Sequence, residues 1–144
     1  MGKIMAVCTS DRKGIQKERQ KEIVLLEDYG IDKDAHAGKW HRQVSLLSYE
    51  KIEAFKAKGV DLKDGAFGEN IVVSGIDLSS LPIGTILKSE EVELEVTQIG
   101  KKCHHHCEIY KVVGDCIMPR EGIFTKVIKG GILKAGDELN VVEE

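Results

Sequence analysis

The chain has 144 residues, of which 42% are hydrophobic and 31% charged, and its 21 Lys and Arg against 24 Asp and Glu give a formal net charge of −3. This length suits one domain with its own hydrophobic core, and we expect residues 1–144 to form a single domain. The near-balanced charge does not indicate a nucleic-acid partner, and no apolar run approaches the ~20 residues of a membrane-spanning helix. Because the N-terminus lacks a hydrophobic export segment, we expect a cytoplasmic protein.

The four cysteines are Cys8, Cys103, Cys107 and Cys116. In a reducing compartment cysteines are expected as thiols, so they serve packing, metal binding or catalysis. Cys8 lies in an apolar, strand-like stretch, which favours a buried packing role. The three remaining cysteines are the candidates for chemistry.

Apolar or alternating runs predict strands along most of the chain. In chain order these runs are Lys3–Cys8, Glu22–Leu26, Gln43–Leu47, Asn70–Val73, Thr85–Lys88, Val92–Ile99, Ile123–Ile128 and Ile132–Val142. The 15 glycines and 2 prolines favour short strands joined by tight turns, and Lys129–Gly131 has the composition of a hairpin turn. We therefore predict a mainly β (α+β) fold, a closed or nearly closed antiparallel β-barrel with one or two short helices.

One segment has a convincing helical pattern. Ser48 is a favourable N-cap residue, Ile52 and Phe55 fall on one face, and Gly59 follows where helices commonly end. The pattern predicts a helix over Tyr49–Lys58 that covers one side of the sheet.

The sequence Cys-His-His-His-Cys, which begins at Cys103, is the least ordinary segment. In an extended chain Cys103, His105 and Cys107 share one face. Zinc sites usually need a second pair of ligands, which here would come from Cys116 or His41. A native metal site and a polar loop that binds metal adventitiously are both open interpretations.

Cys103 is also a candidate nucleophile. Lys101, Lys102 and His104 surround it in sequence with hydrogen-bond donors and positive charge, which stabilise a thiolate over a thiol. The alternative is an unreactive cysteine beside solvated lysines, and the local sequence does not choose between the two.

Three other polar segments are candidates for a binding site. His36, His41 and Arg42 precede a strand, Phe67 lies between two glycines, and Arg120 sits in a turn where its guanidinium could hold a phosphate or carboxylate. Taken singly, each is better explained as an ordinary loop, turn or surface salt bridge. Serine-nucleophile motifs, phosphate-binding loops and dinucleotide fingerprints are absent from the sequence.

Taken together and in order, these segments resemble the MOSC domain, a family named for the C-terminal part of molybdenum cofactor sulfurases. The resemblance covers nearly the whole chain and rests on the order of the motifs more than on any one of them. The matching positions are Asp34, His36 and Gly38, then Arg42–Leu46, Phe67–Asn70, Ile83, Gly84, Leu87, Val96, Thr97, Cys103, Arg120, Gly122, Phe124, Gly136 and Asp137.

The resemblance implies a barrel-like β fold and a family cysteine, here Cys103, that accepts sulfur or ligates molybdenum. The sulfane sulfur would come from a separate, pyridoxal-phosphate-dependent cysteine desulfurase and pass to a metal-sulfur centre or a molybdenum-cofactor enzyme. Most members approach this cysteine through Arg-x-Pro-Cys, whereas this chain has Gly-Lys-Lys-Cys followed by three histidines and Cys107. Cys107 would resolve a persulfide as a disulfide, add a metal ligand or simply pack.

Three functions are consistent with these residues. In the first, Cys103 carries sulfur, either as a sulfurtransferase or as a passive carrier. In the second, the barrel mouth binds the molybdenum cofactor (molybdopterin), with Cys103 on molybdenum. The cofactor-binding set would then be His36, His41, Arg42, Phe67, Asn70, Lys101, Lys102 and Arg120. In the third, Cys103, His105 and Cys107, together with Cys116, hold a metal.

We predict that Phe67, Asn70 and Arg42 surround one cleft together with Cys103. The Asn70 amide should be hydrogen-bonded, because a buried amide is costly without a partner. We also expect Cys103 to be the most reactive of the four thiols. The sequence does not determine the sulfur donor, the acceptor or the oligomeric state.

Overall fold

The structure, a computed structural model, describes residues 2–11, 16–35, 37–57, 65, 67–100 and 122–142. The strands are β1 (Gly2–Thr9), β2 (Glu18–Gln20), β3 (Ile23–Leu26), β4 (Gly30–Ile31), β5 (Val44–Ser48), β6 (Ile71–Ser74), β7 (Ile86–Lys88), β8 (Glu93–Ile99), β9 (Ile123–Lys129), β10 (Gly131–Leu133) and β11 (Glu138–Val142). The helix α1 spans Tyr49–Lys56, and a short 3-10 turn covers Leu78–Ser80. The strand patterns of the sequence thus gave the right fold class, although they did not indicate the very short strands β2 and β4.

Seven strands close into a barrel in the order β11, β7, β8, β9, β5, β6, β1 and back to β11. The closing pairs join Gly2 to Leu139 and Lys3 to Glu138. Apolar side chains that alternate inward along these strands, such as Leu94, are fully buried in the barrel core. The prediction of a closed β-barrel is confirmed.

The barrel is antiparallel except where β5 and β6 run side by side in parallel, with Leu46 beside Ile71. A parallel pair needs a crossover connection, and α1 provides it. Ile52 and Phe55 of α1 are buried against the outer face of the barrel, in one cluster with Val72. The expected helix therefore covers one side of the sheet.

The ends of α1 differ from the expected capping. Ser48 occupies the N-cap position, but its side chain makes no capping hydrogen bond to the helix backbone. Its Oγ instead lies 3.4 Å from Oε1 of Glu50, which also accepts a hydrogen bond from the amide of Gly75. Lys58 and Gly59, the predicted C-terminal residues, lie outside the described residues.

The predicted hairpin at Lys129–Gly131 is wrong. Instead of turning back on β9, β10 pairs with β3, with Ile132 opposite Val24, in a separate sheet of order β10, β3, β4. A Cβ atom on Gly130 would lie 2.4 Å from the carbonyl oxygen of Leu25. The missing side chain therefore lets the chain pass close to β3, and this close approach explains the glycine better than a turn does.

The first cysteine is placed as expected. Cys8 is fully buried on β1 and forms no disulfide. It lies in the same outer cluster as α1, where it packs as a small apolar side chain. Separately, none of the helices in the described ranges has the length and apolar character needed to cross a membrane.

Candidate functional site

The amide of Gln98, near the end of β8, joins two of the residues that the sequence singled out. Its Oε1 lies 2.9 Å from Nε2 of His41 and accepts a hydrogen bond of 3.0 Å from Nε of Arg42. Its Nε2 donates a bond of 2.7 Å to the carbonyl of Gly100. Gln98 thus connects the loop before β5 to the point where the chain leaves β8.

The Arg42 guanidinium lies near two aromatic rings. Its central carbon lies 5.3 Å from the centroid of Phe124 and 5.9 Å from that of Trp40, distances at which a cation is attracted to a ring face. Within the described part of the chain its terminal nitrogens have no hydrogen-bond partner. The two terminal nitrogens of this half-buried guanidinium form a fork that suits a carboxylate or a phosphate.

The backbone beneath this arginine is also fixed. The Thr97 hydroxyl is within hydrogen-bonding reach of the carbonyl oxygens of His41 and Phe124. Gln43, fully buried at the start of β5, accepts a bond of 2.9 Å from the amide of Val127 and donates one of 3.2 Å to Asp28. We call residues 37–42, which carry Trp40, His41 and Arg42, the arginine loop.

The Phe-Gly-Glu-Asn motif is built into the framework. The buried carboxylate of Glu69 accepts hydrogen bonds from the amides of Gly65 (3.1 Å) and Phe67 (3.0 Å). Phe67 is itself buried and meets Phe55 of α1 edge to face, with centroids 5.2 Å apart. The motif thus shapes a turn and anchors the helix.

Asn70 links three strands. Its Oδ1 accepts a bond of 3.0 Å from the amide of Ser45 on β5, and its Nδ2 donates one of 3.0 Å to the carbonyl of Cys8 on β1. The prediction that this amide is hydrogen-bonded is confirmed. Because the side chain is fully buried, it acts by holding β1, β5 and β6 in register.

A row of residues across the sheet connects Asn70 to Gln98. We call Gln98, with its bonds to His41, Arg42 and Gly100, the Gln98 hub. Asn70 bonds to Ser45, Ser45 pairs with Phe124 on β9, and Phe124 pairs with Gln98 on β8. Strands lie about 4.8 Å apart, so the row extends about 14 Å along the curved sheet. The structure thus brings His41 and Arg42 together, whereas Phe67 and Asn70 are buried in the framework. The predicted cleft shared with Cys103 stays a prediction, because Cys103 lies outside the described residues.

A buried lysine completes the framework. Lys17 is fully buried, and its Nζ donates to Oδ1 of Asp34 (2.8 Å) and to Oγ of Ser10 (3.1 Å). Asp34 also accepts a bond of 3.1 Å from the amide of Ser10. Burial lowers the pKa of Lys17, while the charges of Asp34 and, more weakly, Cys8 and Glu69 act to raise it.

The sequence analysis did not single out Lys17, because its sequence neighbours are polar or charged and hide its burial. The available signal was indirect. Asp34 opens the Asp-x-His-x-Gly motif, and an aspartate that becomes buried requires a donor or cation. Asking which cation could reach Asp34 would have been the route to Lys17.

The remaining predicted site residues lie outside the described residues. They are His36, Lys101, Lys102, Cys103, His105, Cys107, Cys116 and Arg120. The structure does fix both ends of the long segment that contains most of them, because the amide of Gly100 donates a bond of 2.6 Å to the carbonyl of Gly122. In the described ranges no group of three or more His, Cys, Asp or Glu side chains is placed to hold a metal ion.

Comparison with known proteins agrees with this architecture. The family model described as the MOSC domain matches residues 33–140, so the chain belongs to the MOSC domain family. No curated protein matches the chain.

Solved structures share the fold at low sequence identity. The YuaD protein from Bacillus subtilis is 23% identical with a TM-score of 0.79, and the alignment covers 98% of this chain and 96% of that one. YiiM from Geobacillus stearothermophilus is 18% identical with a TM-score of 0.75, over 99% of this chain and 76% of that one. YiiM from Escherichia coli is 18% identical with a TM-score of 0.72, over 100% and 71% respectively.

Proposed function

We propose that the protein is a sulfur carrier of the MOSC family, in which Cys103 accepts a sulfane sulfur atom and passes it on. The observation that carries the proposal is the Gln98 hub, which holds the Arg42 guanidinium beside the strand end at Gly100. Cys103 follows Gly100 by three residues, a length of chain that spans at most about 11 Å. A nearby guanidinium favours thiolate and persulfide anions over their neutral forms.

The loading step is a thiolate exchange. The Cys103 thiolate attacks the terminal sulfur of a persulfide on the donor, the donor's S–S bond breaks, and a new S–S bond forms on Cys103 while the donor cysteine leaves as a thiolate. The sulfane sulfur keeps its oxidation state, so no external oxidant or reductant takes part. The donor we propose is a separate, pyridoxal-phosphate-dependent cysteine desulfurase in the same cytoplasmic compartment.

The unloading step uses the second cysteine of the segment. The Cys107 thiol attacks the inner sulfur of the Cys103 persulfide, forms a Cys103–Cys107 disulfide and releases hydrosulfide. The two electrons that reduce the sulfane sulfur come from the two thiols, which a cellular dithiol must later restore. The released sulfide serves a metal-sulfur centre or a molybdenum-cofactor enzyme as acceptor.

The test is to incubate the purified protein with a cysteine desulfurase and cysteine, and to map the added sulfur by mass spectrometry. In wild type we expect a transient gain of one sulfur atom on Cys103, followed by the Cys103–Cys107 disulfide. There should be no gain in Cys103→Ser and the same transient gain in the matched control Cys116→Ser. In Cys107→Ser the persulfide should form but persist. Sulfur loading of Cys107 or Cys116 that is unaffected by Cys103→Ser would overturn the proposal.

A second candidate function is binding of molybdopterin, and one specific observation favours it. The terminal nitrogens of Arg42 have no partner in the described part of the chain, and a phosphate monoester would satisfy both. Trp40 and His41 flank this arginine and suit the edge of a flat heterocycle. Arg42 would hold the phosphate, with Arg120, Lys101 or Lys102 as further donors, and Cys103 would be the thiolate ligand of molybdenum, a redox metal.

Metal and pterin analysis of protein purified from its own host distinguishes these functions. Stoichiometric molybdenum and pterin favour the cofactor-binding module, whereas a metal-free protein with a persulfide on Cys103 favours the carrier. Stoichiometric zinc that is lost in Cys107→Ser would contradict both and favour the metal-binding hypothesis for Cys103, His105 and Cys107.

A further inference from the structure

The buried ion pair of Lys17 and Asp34 lies just before the arginine loop, because Asp34 precedes the loop by three residues. A buried ion pair costs free energy of folding, because both charges leave water. It is stable only where further hydrogen bonds satisfy both charged groups. Ser10 supplies these bonds through its amide, which donates to Asp34, and its hydroxyl, which accepts from Lys17. The carboxylate of Asp34, three residues before the arginine loop, therefore joins Ser10, the residue after β1, to Lys17, the residue before β2.

This cluster fixes one end of the arginine loop. Beside the bonds to Asp34, the amide of Ala35 donates to the carbonyl of Ser10 (2.8 Å), and the amide of Ala37 donates to the carbonyl of Asp34 (3.1 Å). The other end is fixed separately by Gln43 and Thr97. Between these ends the amide of Gly38 donates to the carbonyl of Tyr29 (2.6 Å). Of these three points, only the one at Asp34 contains a buried ion pair.

We propose that Lys17 is a positioning residue for an oxyanion site at Arg42, acting through Asp34 on the arginine loop. The ligand class is a phosphate monoester or a similar oxyanion that can accept both terminal nitrogens of the guanidinium. The proposal rests on the proposed function in that it takes the Arg42 surface to be the ligand-facing part of the molecule. Lys17 itself is enclosed and does not touch the ligand.

A tryptophan in the loop makes the proposal measurable. Trp40 is the single tryptophan of the chain, and its ring lies 5.9 Å from the guanidinium carbon of Arg42. Its emission and its quenching by acrylamide report the placement of the loop without any ligand. A titration with inorganic phosphate, followed by the same emission, reports the oxyanion site.

The experiment compares wild type with Lys17→Met, with the double variant Lys17→Met/Asp34→Leu, and with Lys56→Met as a control. Among the described residues, Lys56 pairs with Glu53 at the surface, at 3.4 Å. The double variant removes both buried charges, so its stability should recover relative to the single variant. All measurements are made below the unfolding transition of each protein.

We expect acrylamide to quench Trp40 more strongly in both Lys17 variants. Phosphate should bind about tenfold more weakly, by analogy with the loss of metal affinity when a residue that orients a metal ligand is removed. Lys56→Met should match wild type. A folded double variant with wild-type quenching would overturn the proposal, because the loop would then keep its place without the pair. If wild type binds no phosphate, the oxyanion site fails together with the second candidate function, and the quenching comparison alone decides whether Lys17 positions the loop.

Discussion

The two ends of the arginine loop are held by different chemistry. At Asp34 a buried carboxylate meets a buried lysine and a backbone amide, with every partner enclosed. Near Arg42 the backbone is held by Gln43 and Thr97, while the guanidinium itself makes one side-chain hydrogen bond, to half-buried Gln98. Within the described part of the chain its terminal nitrogens have no hydrogen-bond partner. The first end resists change because each group is costly to leave unpaired, whereas the second end can exchange partners with solvent or a ligand. The residues of the family motifs therefore fall into two groups. Some, such as Asp34, are buried and stabilise the fold, and others, such as Arg42, can contact a ligand.

The largest expected effect is at the buried end. Lys17→Met leaves Asp34 enclosed without its cation, and breaking a buried pair in this way costs about 3–5 kcal/mol of unfolding free energy. Urea denaturation of wild type and variant at pH 7 measures it. If Lys17→Met lost less unfolding free energy than the exposed control Lys56→Met, the proposed difference between the two ends of the arginine loop would be wrong.

The same variant has a defined pH dependence. The pKa of Lys17 is lowered in the folded protein, so between that value and the ordinary 10.5 the unfolded chain binds more protons than the folded one. Wild-type stability from this group therefore rises with pH across that window, and it is constant below the folded pKa. Lys17→Met lacks this increase in stability. The difference in unfolding free energy between wild type and Lys17→Met, the stability gap, should therefore widen toward pH 10.5. A gap that narrows would contradict the pKa direction.

The second effect concerns Asn70, which joins β1, β5 and β6. Asn70→Ala leaves the amide of Ser45 and the carbonyl of Cys8 without this partner, at about 1–3 kcal/mol for each buried group, so we expect a loss of about 3 kcal/mol. Asn140→Ala, at a half-buried position on β11, is the matched control. Equal losses in the two variants would mean that the Asn70 bonds are not what the barrel depends on.

A smaller effect is expected at the hub. Gln98→Glu puts a carboxylate beside Arg42 but removes the Nε2 donor to the carbonyl of Gly100, so unfolding free energy should fall by about 1–2 kcal/mol. Phosphate affinity should also fall, because the guanidinium gains an internal partner. Gln20→Glu, on an exposed strand, adds the same charge away from the site. Phosphate titration of both variants separates local competition from a general charge effect, and equal losses would favour the latter.

The smallest expected change in stability belongs to the contact residue itself. Arg42→Gln removes a half-buried cation that makes one hydrogen bond and two ring contacts, so we expect a loss of about 1 kcal/mol. Phosphate binding should nevertheless be abolished, whereas Arg19→Gln on the exposed β2 leaves it intact. Calorimetric titration with phosphate provides the measurement. Retained binding in Arg42→Gln would move the oxyanion site elsewhere.

Local patterns predicted the barrel strands well because alternation between apolar and polar residues is a property of single segments. Strand pairing depends on distant segments, so the sequence predicted the wrong partner for β10. The residues around Gly130 do not reveal that β3 passes beside it. The site divides in the same way. Arg42 and His41 were found from their residue types, whereas Lys17 and Gln98 depend on partners 17 and 56 residues away.

The bond between Gly100 and Gly122 has a consequence for how this barrel can vary. Because β8 and β9 are already joined at that point, by Ile99 opposite Ile123 and by the 2.6 Å bond beyond it, the barrel itself fixes the positions where the chain leaves β8 and enters β9. The entropy of closing an inserted segment grows only with the logarithm of its length, so an insertion between these two positions should cost the barrel little stability. The barrel can therefore accept sequence changes there, and the Gly-Lys-Lys-Cys of this chain, which departs from Arg-x-Pro-Cys, begins at this point.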